Sequence, residues 1–274
     1  MPELPEVETL KRSLEAALIG QRIQAIQIKR ADLIKRPDAE SFARTLSGKQ
    51  IVALGRRGKF LLIHIEDGAK LVVHLRMTGR LVCSDPEQPE LPHTHLCFEL
   101  ENGRVLRYSD TRRFGCLWLV APGEEDDFTG LAKLGREPLD AAFSGDYLWE
   151  SLAKRRIKVK QGLLDQSVIA GLGNIYVDEA LYQAGVRPDR LCTDISTEEW
   201  QSLAEAIPPI LNSSIQHRGT SFSDYLDGEG KKGDNLAFLK AYQREGQPCE
   251  RCGTLLEKIR VGGRGSCFCP KCQK

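Results

Sequence analysis

The chain contains no apolar run approaching the ~20 residues that a membrane-spanning helix needs. Its opening, Met1-Pro2-Glu3-Leu4-Pro5-Glu6, is acidic where a secretory leader would be basic and then apolar. A cytoplasmic location is therefore expected. An excess of one charge is also missing: 39 Lys and Arg face 38 Asp and Glu, a formal net charge of +1, so bulk composition does not point to a polyanionic partner. There is no phosphate-cradling P-loop, no His-Glu-x-x-His and no Gly-x-Ser-x-Gly, which sets aside P-loop NTPases, zincin-type metalloproteases and nucleophile-elbow hydrolases. Internal repeats and low-complexity tracts are absent too. Cysteine is plentiful at nine, but an odd number without a secretory leader argues against a disulfide framework.

What is present is patterned. At 274 residues the chain has room for two domains, each with a core of its own. Lys154, Arg155, Arg156, Lys158 and Lys160 follow one another without an acid, whereas Glu124, Glu125, Asp126 and Asp127 cluster elsewhere. From Leu239 onward eight basic residues face three acidic ones. Basic stripes on a neutral chain suit phosphate binding.

Val7, Leu10, Leu14 and Leu18 recur at helical spacing between Pro5 and Gly20, which predicts an amphipathic N-terminal helix. Short β-rich runs follow at 23–28, 51–54, 59–65, 71–75, 81–83, 95–100, 105–108 and 116–120, predicting an antiparallel sandwich over roughly residues 1–130. Residues 121–143 read as a linker. Helices come next: Asn174–Ala184 follows a tight Gly171-Leu172-Gly173 turn, and a capping box at Ser196-Thr197-Glu198-Glu199 starts another helix that Pro208-Pro209 should kink or break. The polar, Gly-rich stretch 219–235 reads as a mobile loop. Cys83, Cys97, Cys116 and Cys192 are expected as small core residues.

Two features carry chemistry. Cys249-Glu250-Arg251-Cys252 and Cys269-Pro270-Lys271-Cys272 are separated by sixteen residues, the spacing of a zinc ribbon with four thiolates around one Zn²⁺. Cys267 has the wrong spacing to replace one of them. So small a segment lacks the core to fold by itself, so the metal is expected to fold it. Between the knuckles, Gly262-Gly263-Arg264-Gly265 marks a hairpin tip, where Arg264 is either solvated or presented to a phosphate or a reacting group.

The second feature is the N-terminus. Initiator Met is ordinarily removed before proline, which would leave Pro2 with a secondary α-amine. An α-amine titrates near ~7.7–8.0 against ~10.4 for lysine, so about a third is neutral and nucleophilic near pH 7.5. Attack on an aldehyde-like carbon would give an iminium ion, a permanent cation and electron sink. Glu3 beside it reads either as an acid–base group or, with Glu6 and Glu8, as an acid at a helix N-terminus. Lys59 reads as a strand flank, and Asn174 as the start of a helix whose N–H groups suit a phosphate.

Met1–Thr9, Arg57-Gly58-Lys59-Phe60, His74-Leu75-Arg76-Met77-Thr78-Gly79, Asp110-Thr111-Arg112-Arg113-Phe114-Gly115, Gly173-Asn174-Ile175-Tyr176 and the four-cysteine ribbon, in this order along the whole chain, resemble bacterial formamidopyrimidine-DNA glycosylase. The resemblance implies an α+β fold: an N-terminal helix with an antiparallel β-sandwich (1–130), a linker (131–143), a helix-two-turn-helix module (144–238) and a zinc ribbon (239–274). It implies a monomeric, cytoplasmic, nucleoid-associated base-excision enzyme with one structural Zn²⁺, acting on damaged double-stranded DNA. Oxidised purines would be removed and the strand then nicked. Carried over by motif, Pro2 is the Schiff-base nucleophile, Glu3 the proton donor for base departure, and Lys59 and Arg264 the donors for β- and δ-elimination. Met77, Arg112 and Phe114 would fill the gap left by the flipped nucleotide, while His93, Arg112, Arg156, Asn174 and Lys160 would contact DNA. Ala241-Tyr242-Gln243-Arg244 departs from the family's common Val-Tyr-Gly-Arg. Alternatives are an endonuclease VIII-like enzyme for oxidised pyrimidines and a non-catalytic zinc-ribbon DNA-binding protein.

Overall fold

The computed structural model describes residues 1–124 and 127–274; Glu125 and Asp126 of the acidic cluster lie outside the described residues. The chain divides into two compact units, Met1–Ala132 with Ile215–Leu236, and Lys133–Ser214 with Ala237–Lys274.

In the first unit α1 (Leu4–Leu18) forms where the apolar spacing predicts it, with Pro5 in its first turn and Gly20 beyond its end at φ 85°. Val7, Leu10, Leu14 and Leu18 are all buried. Each such side chain contributes about 1.5–3 kcal/mol when taken out of water. Two sheets follow. The first has the order β1 (Ile23–Ile28), β7 (Thr94–Leu100), β8 (Val105–Asp110), β6 (Gly79–Ser84), antiparallel throughout. The second runs β2 (Ile34–Arg36), β9 (Cys116–Val120), β5 (Lys70–His74), β4 (Phe60–Ile65), β3 (Ile51–Arg57). Here β2 lies parallel to β9, so the sandwich is not purely antiparallel as expected. Three residues are too few for alternation to register in a sequence. The short α2 (Ala39–Leu46), capped by Asp38 accepting from Ser41 N–H at 2.9 Å, is likewise silent because only Phe42 and Leu46 are buried. One apolar core joins both sheets to α1 and α2.

Residues 215–236 pack with this unit rather than with the helical segment to which the sequence reading assigns them. Thr220 N–H donates to Glu6 Oε1 at 2.8 Å, Gly228 N–H to Ser13 Oγ at 2.8 Å, and Cys83 N–H to the Gly228 carbonyl at 2.9 Å. The expected mobile loop is thus tied along its length. Polar composition alone hides this, because the partners are more than a hundred residues away in sequence.

The second unit holds α3 (Gly145–Leu152), α4 (Val159–Leu163), α5 (Asn174–Ala184), most of α6 (Thr197–Gln216), and the hairpin β10 (Glu257–Val261) with β11 (Arg264–Phe268). The capping box is present: Ser196 N–H donates to Glu199 Oε2 at 2.8 Å and Glu199 N–H to Ser196 Oγ at 3.3 Å. α6 runs through Pro208 and Pro209 without a break, where a kink or a break was expected. Trp200, Leu203, Ile207 and Leu211 are fully buried along it, and that packing offsets the backbone hydrogen bonds the prolines forgo. α4 and α5 are joined by two turns, and α5 ends on Gly185 at φ 72°.

Candidate active site, nucleic-acid interface and metal centre

Pro2 and Glu3 stand immediately before α1 and are buried. Glu6 holds them there. Its Oε2 accepts Glu3 N–H at 2.8 Å while its Oε1 accepts Thr220 N–H, and the Tyr225 hydroxyl donates to the Glu6 carbonyl at 3.2 Å. The acids at the start of the helix therefore do what spacing suggests, but Glu6 also fastens residues 219–225 to the N-terminus.

Lys59 flanks a strand as expected, but within a tight turn and buried. β4 begins at Phe60, and Gly58-Lys59 is the two-residue turn joining it to β3, with Gly58 at φ 54°. Lys59 is only 6% exposed. Arg56 braces the turn, donating to the Gly58 carbonyl and to Glu8 Oε2, both at 3.1 Å. Burial works against the Glu8 carboxylate, yet hydrogen bonds and charge from Arg12, Lys11 and Arg56 hold it below its usual range. Beside Lys59, His74 is pushed down to about 3, first by burial and then by Arg76 and Lys59, so its imidazole is neutral at physiological pH. Its Nδ1 accepts Arg76 N–H at 3.0 Å, and its ring meets Phe60 edge-on at 4.5 Å.

Met77 and Phe114 are large apolar side chains that this unit leaves exposed, at 40% and 52%. Arg112 lies with its guanidinium 4.6 Å from the Phe114 ring centre, and His93 is exposed on the preceding loop.

In the second unit Lys154, Arg155 and Arg156 are exposed, whereas Lys160 is fully buried. Lys160 Nζ donates to Asp178 Oδ1 at 2.7 Å and to the Gly265 carbonyl at 2.8 Å, so its charge faces the protein interior rather than the phosphate expected from sequence. Asp178 also accepts from Ser266 Oγ at 2.6 Å and Cys267 N–H at 3.2 Å. Burial pushes the lysine down and the carboxyl up, and their mutual attraction opposes both shifts. With every oxygen of the carboxylate engaged, the charged pair is the form this contact supports. Asn174 donates to the same Gly265 carbonyl at 3.3 Å, which leaves its second amide hydrogen available. Arg264 starts β11, exposed, after a turn whose Gly262 and Gly263 have φ 56° and 81°. A two-residue turn with both central φ positive suits only residues such as these glycines.

The sulfurs of Cys249, Cys252, Cys269 and Cys272 lie within 4.8 Å of one another. Cys252–Cys269 and Cys249–Cys272 are 3.6 and 4.0 Å apart. A regular tetrahedron with Zn–S near ~2.3 Å has edges of ~3.8 Å. The donor set thus fits one structural zinc, with Cys267 buried outside it. Among the described residues, Tyr182, Ala241 and Leu256 join the cysteines in the small core here. The other four cysteines are buried, as expected.

Residues 1–117 match the formamidopyrimidine-DNA glycosylase N-terminal domain, 134–225 that family's H2TH domain, and 246–274 the zinc finger found in FPG and IleRS. The chain is 48% identical to the formamidopyrimidine-DNA glycosylase of Desulforamulus reducens over 100% of this chain and 99% of the relative. It is 50% identical to that of Moorella thermoacetica over 95% of each. The chain belongs to the formamidopyrimidine-DNA glycosylase family. Among solved structures, a Lactococcus lactis FPG bound to DNA containing Fapy-dG superposes with a TM-score of 0.93 at 36% identity, covering 100% of both chains. MutM in complex with DNA containing carbocyclic 8-oxo-G gives 0.92 at 36% identity, again covering 100% of both.

Gln243, where the sequence departs from the expected Val-Tyr-Gly-Arg, occupies φ 59°, the left-handed region that favours glycine. Sequence reasoning missed Glu6 as a tether, Asp178 as the partner of Lys160, and His74; an acid or histidine inside a motif carries no signal of what it will face.

Proposed function

We propose that the chain is a bifunctional DNA glycosylase and abasic-site lyase that excises oxidised purines, 8-oxoguanine and formamidopyrimidines, from double-stranded DNA. Once Met1 is removed, the Pro2 nitrogen forms a bond to C1′ of the damaged nucleotide, and the bond from C1′ to the base breaks with proton transfer from Glu3. The C1′–O4′ bond then breaks as O4′ takes up a proton, and the ring-opened iminium ion that forms acidifies the C2′ protons. β-Elimination then expels the 3′ phosphate with Lys59 as proton donor, and δ-elimination expels the 5′ phosphate with Arg264 as donor. The iminium accepts the electron pair that each C–H bond releases.

The observation that carries this reading is the burial of Pro2 and Glu3 at the mouth of α1, held by Glu6, in a chain that keeps Lys59 and Arg264 at their family positions. Met77, Arg112 and Phe114 would wedge the duplex open, and His93, Arg156 and Asn174 would hold phosphates or bases. Lys160 is withdrawn from that set by its burial. The proposed enzyme acts as a monomer on nucleoid DNA in the cytoplasm.

Borohydride trapping tests it. Incubation with a duplex carrying one 8-oxoguanine is expected to leave a covalent adduct that peptide mapping places on Pro2, and an uncleaved N-terminal extension is expected to abolish trapping while binding persists. An adduct on Lys59, or trapping only with oxidised pyrimidines, overturns the nucleophile or the substrate class respectively.

A further inference from the structure

Met77, His93, Arg112 and Phe114 sit on three separate loops, and one buried residue, Asp110, reaches all three, two through its carboxylate and the His93 loop through its main chain. Asp110 ends β8 and is 1% exposed. Its Oδ1 accepts the hydroxyl of Thr78, the neighbour of Met77, and Arg112 N–H at 3.2 Å. Its Oδ2 accepts Gly115 N–H, just after Phe114, at 2.8 Å, and the Tyr108 hydroxyl at 3.4 Å. Its own N–H donates to the His93 carbonyl at 3.0 Å, and its carbonyl lies 2.9 Å from His95 Nε2. Thr78 closes the frame, because Thr78 Oγ1 also accepts Arg112 N–H at 3.0 Å.

The surroundings leave no slack. A Cβ at Gly115 would stand 1.6 Å from the Tyr108 oxygen, and one at Gly79 would stand 2.8 Å from it. Arg76, His93 and Arg113 hold φ of 53°, 63° and 56°. Each is uphill for a non-glycine residue. Such conformations persist where neighbours over-determine them. A carboxylate is the side chain that can do this, since it only accepts and has about four lone-pair sites for two N–H and two O–H donors.

We propose that Asp110 and Thr78 are positioning residues that lock the loops bearing Met77, Arg112 and Phe114 to one another, so that the wedge enters the base stack already ordered. The proposal rests on the wedge assignment made above. Neither residue needs to touch DNA. Opening a duplex costs base stacking, and side chains on loops that must first be ordered would add to that cost.

The test pairs two substrates. One is a duplex with 8-oxoguanine opposite cytosine and 2-aminopurine beside it to report extrusion; the other is a preformed abasic site opposite a gap, where no stack has to be parted. Thr78→Val, which keeps shape but removes the hydroxyl, is expected to slow single-turnover excision and extrusion by about tenfold while trapping at the gapped site stays within about threefold of the parent. Thr78→Ser is expected to restore extrusion, and Asp110→Asn to show the same split more strongly. If Thr78→Val and Asp110→Asn flip and excise like the parent while Met77→Ala/Phe114→Ala is slow, the positioning role is wrong and the wedge stands. Equal losses on both substrates would show that Asp110 and Thr78 merely support the fold, which also overturns the proposal. A Met77→Ala/Phe114→Ala protein as fast as the parent removes the wedge itself, and a parent that traps neither substrate removes the proposed activity.

Discussion

The sandwich and the zinc ribbon reach order by different means. The first carries a continuous core of apolar side chains from two sheets and two helices, so its fold follows from burial. The ribbon has a two-stranded hairpin, a handful of buried residues and four sulfurs gathered around one point. Stability in the sandwich is spread over many contacts and tolerates the loss of one; in the ribbon it is concentrated in a metal and in the hydrogen bonds that β11 makes with the buried Lys160–Asp178 pair beside it.

Removing the metal should break the comparison most completely. Structural zinc supplies about 10–16 kcal/mol to comparable small domains at neutral pH. Cys249→Ala, or chelation of the parent, is therefore expected to abolish ribbon structure and DNA binding while amide exchange in β3–β9 stays protected; metal analysis of protein purified without chelator should return one zinc per chain. Next comes the buried Lys160–Asp178 pair between α4 and α5, each member of which also hydrogen-bonds β11. Lys160→Met leaves Asp178 buried and uncompensated, a loss of about 3–5 kcal/mol. Urea unfolding of the second unit should show it, and a double change that also makes Asp178 apolar should recover much of the loss.

The sandwich has a pH dependence of its own. Folded His74 titrates near 3, whereas unfolded it titrates near ~6.5. As pH falls through that window the unfolded chain takes up a proton that the folded chain refuses. Stability of the first unit is thus complete above about pH 6.5 and declines toward 3. His74→Asn should flatten the dependence by up to one proton, about 1.4 kcal/mol per pH unit, in urea titrations across pH. The smallest effect is a gain. Gln243→Gly relieves a left-handed side-chain-bearing residue at the approach to the ribbon and should raise stability by about 1 kcal/mol with zinc content unchanged.

Local order was legible wherever it depends on local rules. α1, the Ser196 capping box, the Gly262-Gly263 turn and the cysteine spacing all follow from residues within a few positions of one another, and the structure places each where its pattern predicts. The β2 pairing, the passage of α6 through two prolines and the attachment of 215–236 to the first unit depend on partners distant in the chain.

The motifs by themselves also determined the family and the chemical types at the site: a proline at the N-terminus, acids behind it, a lysine beside a strand, an arginine at a hairpin tip. Only the tertiary structure decided which charges face inward. Lys160 reads as one more member of a basic stripe until Asp178 and the Gly265 carbonyl close on it, and Asp110 reads as one acid in a loop motif until four donors, one of them from Thr78 thirty-two residues away, converge on its carboxylate. The physical reason is the same in both cases: what a charged side chain does is set by the dielectric and the donors around it, and these come from parts of the chain that meet only when it folds.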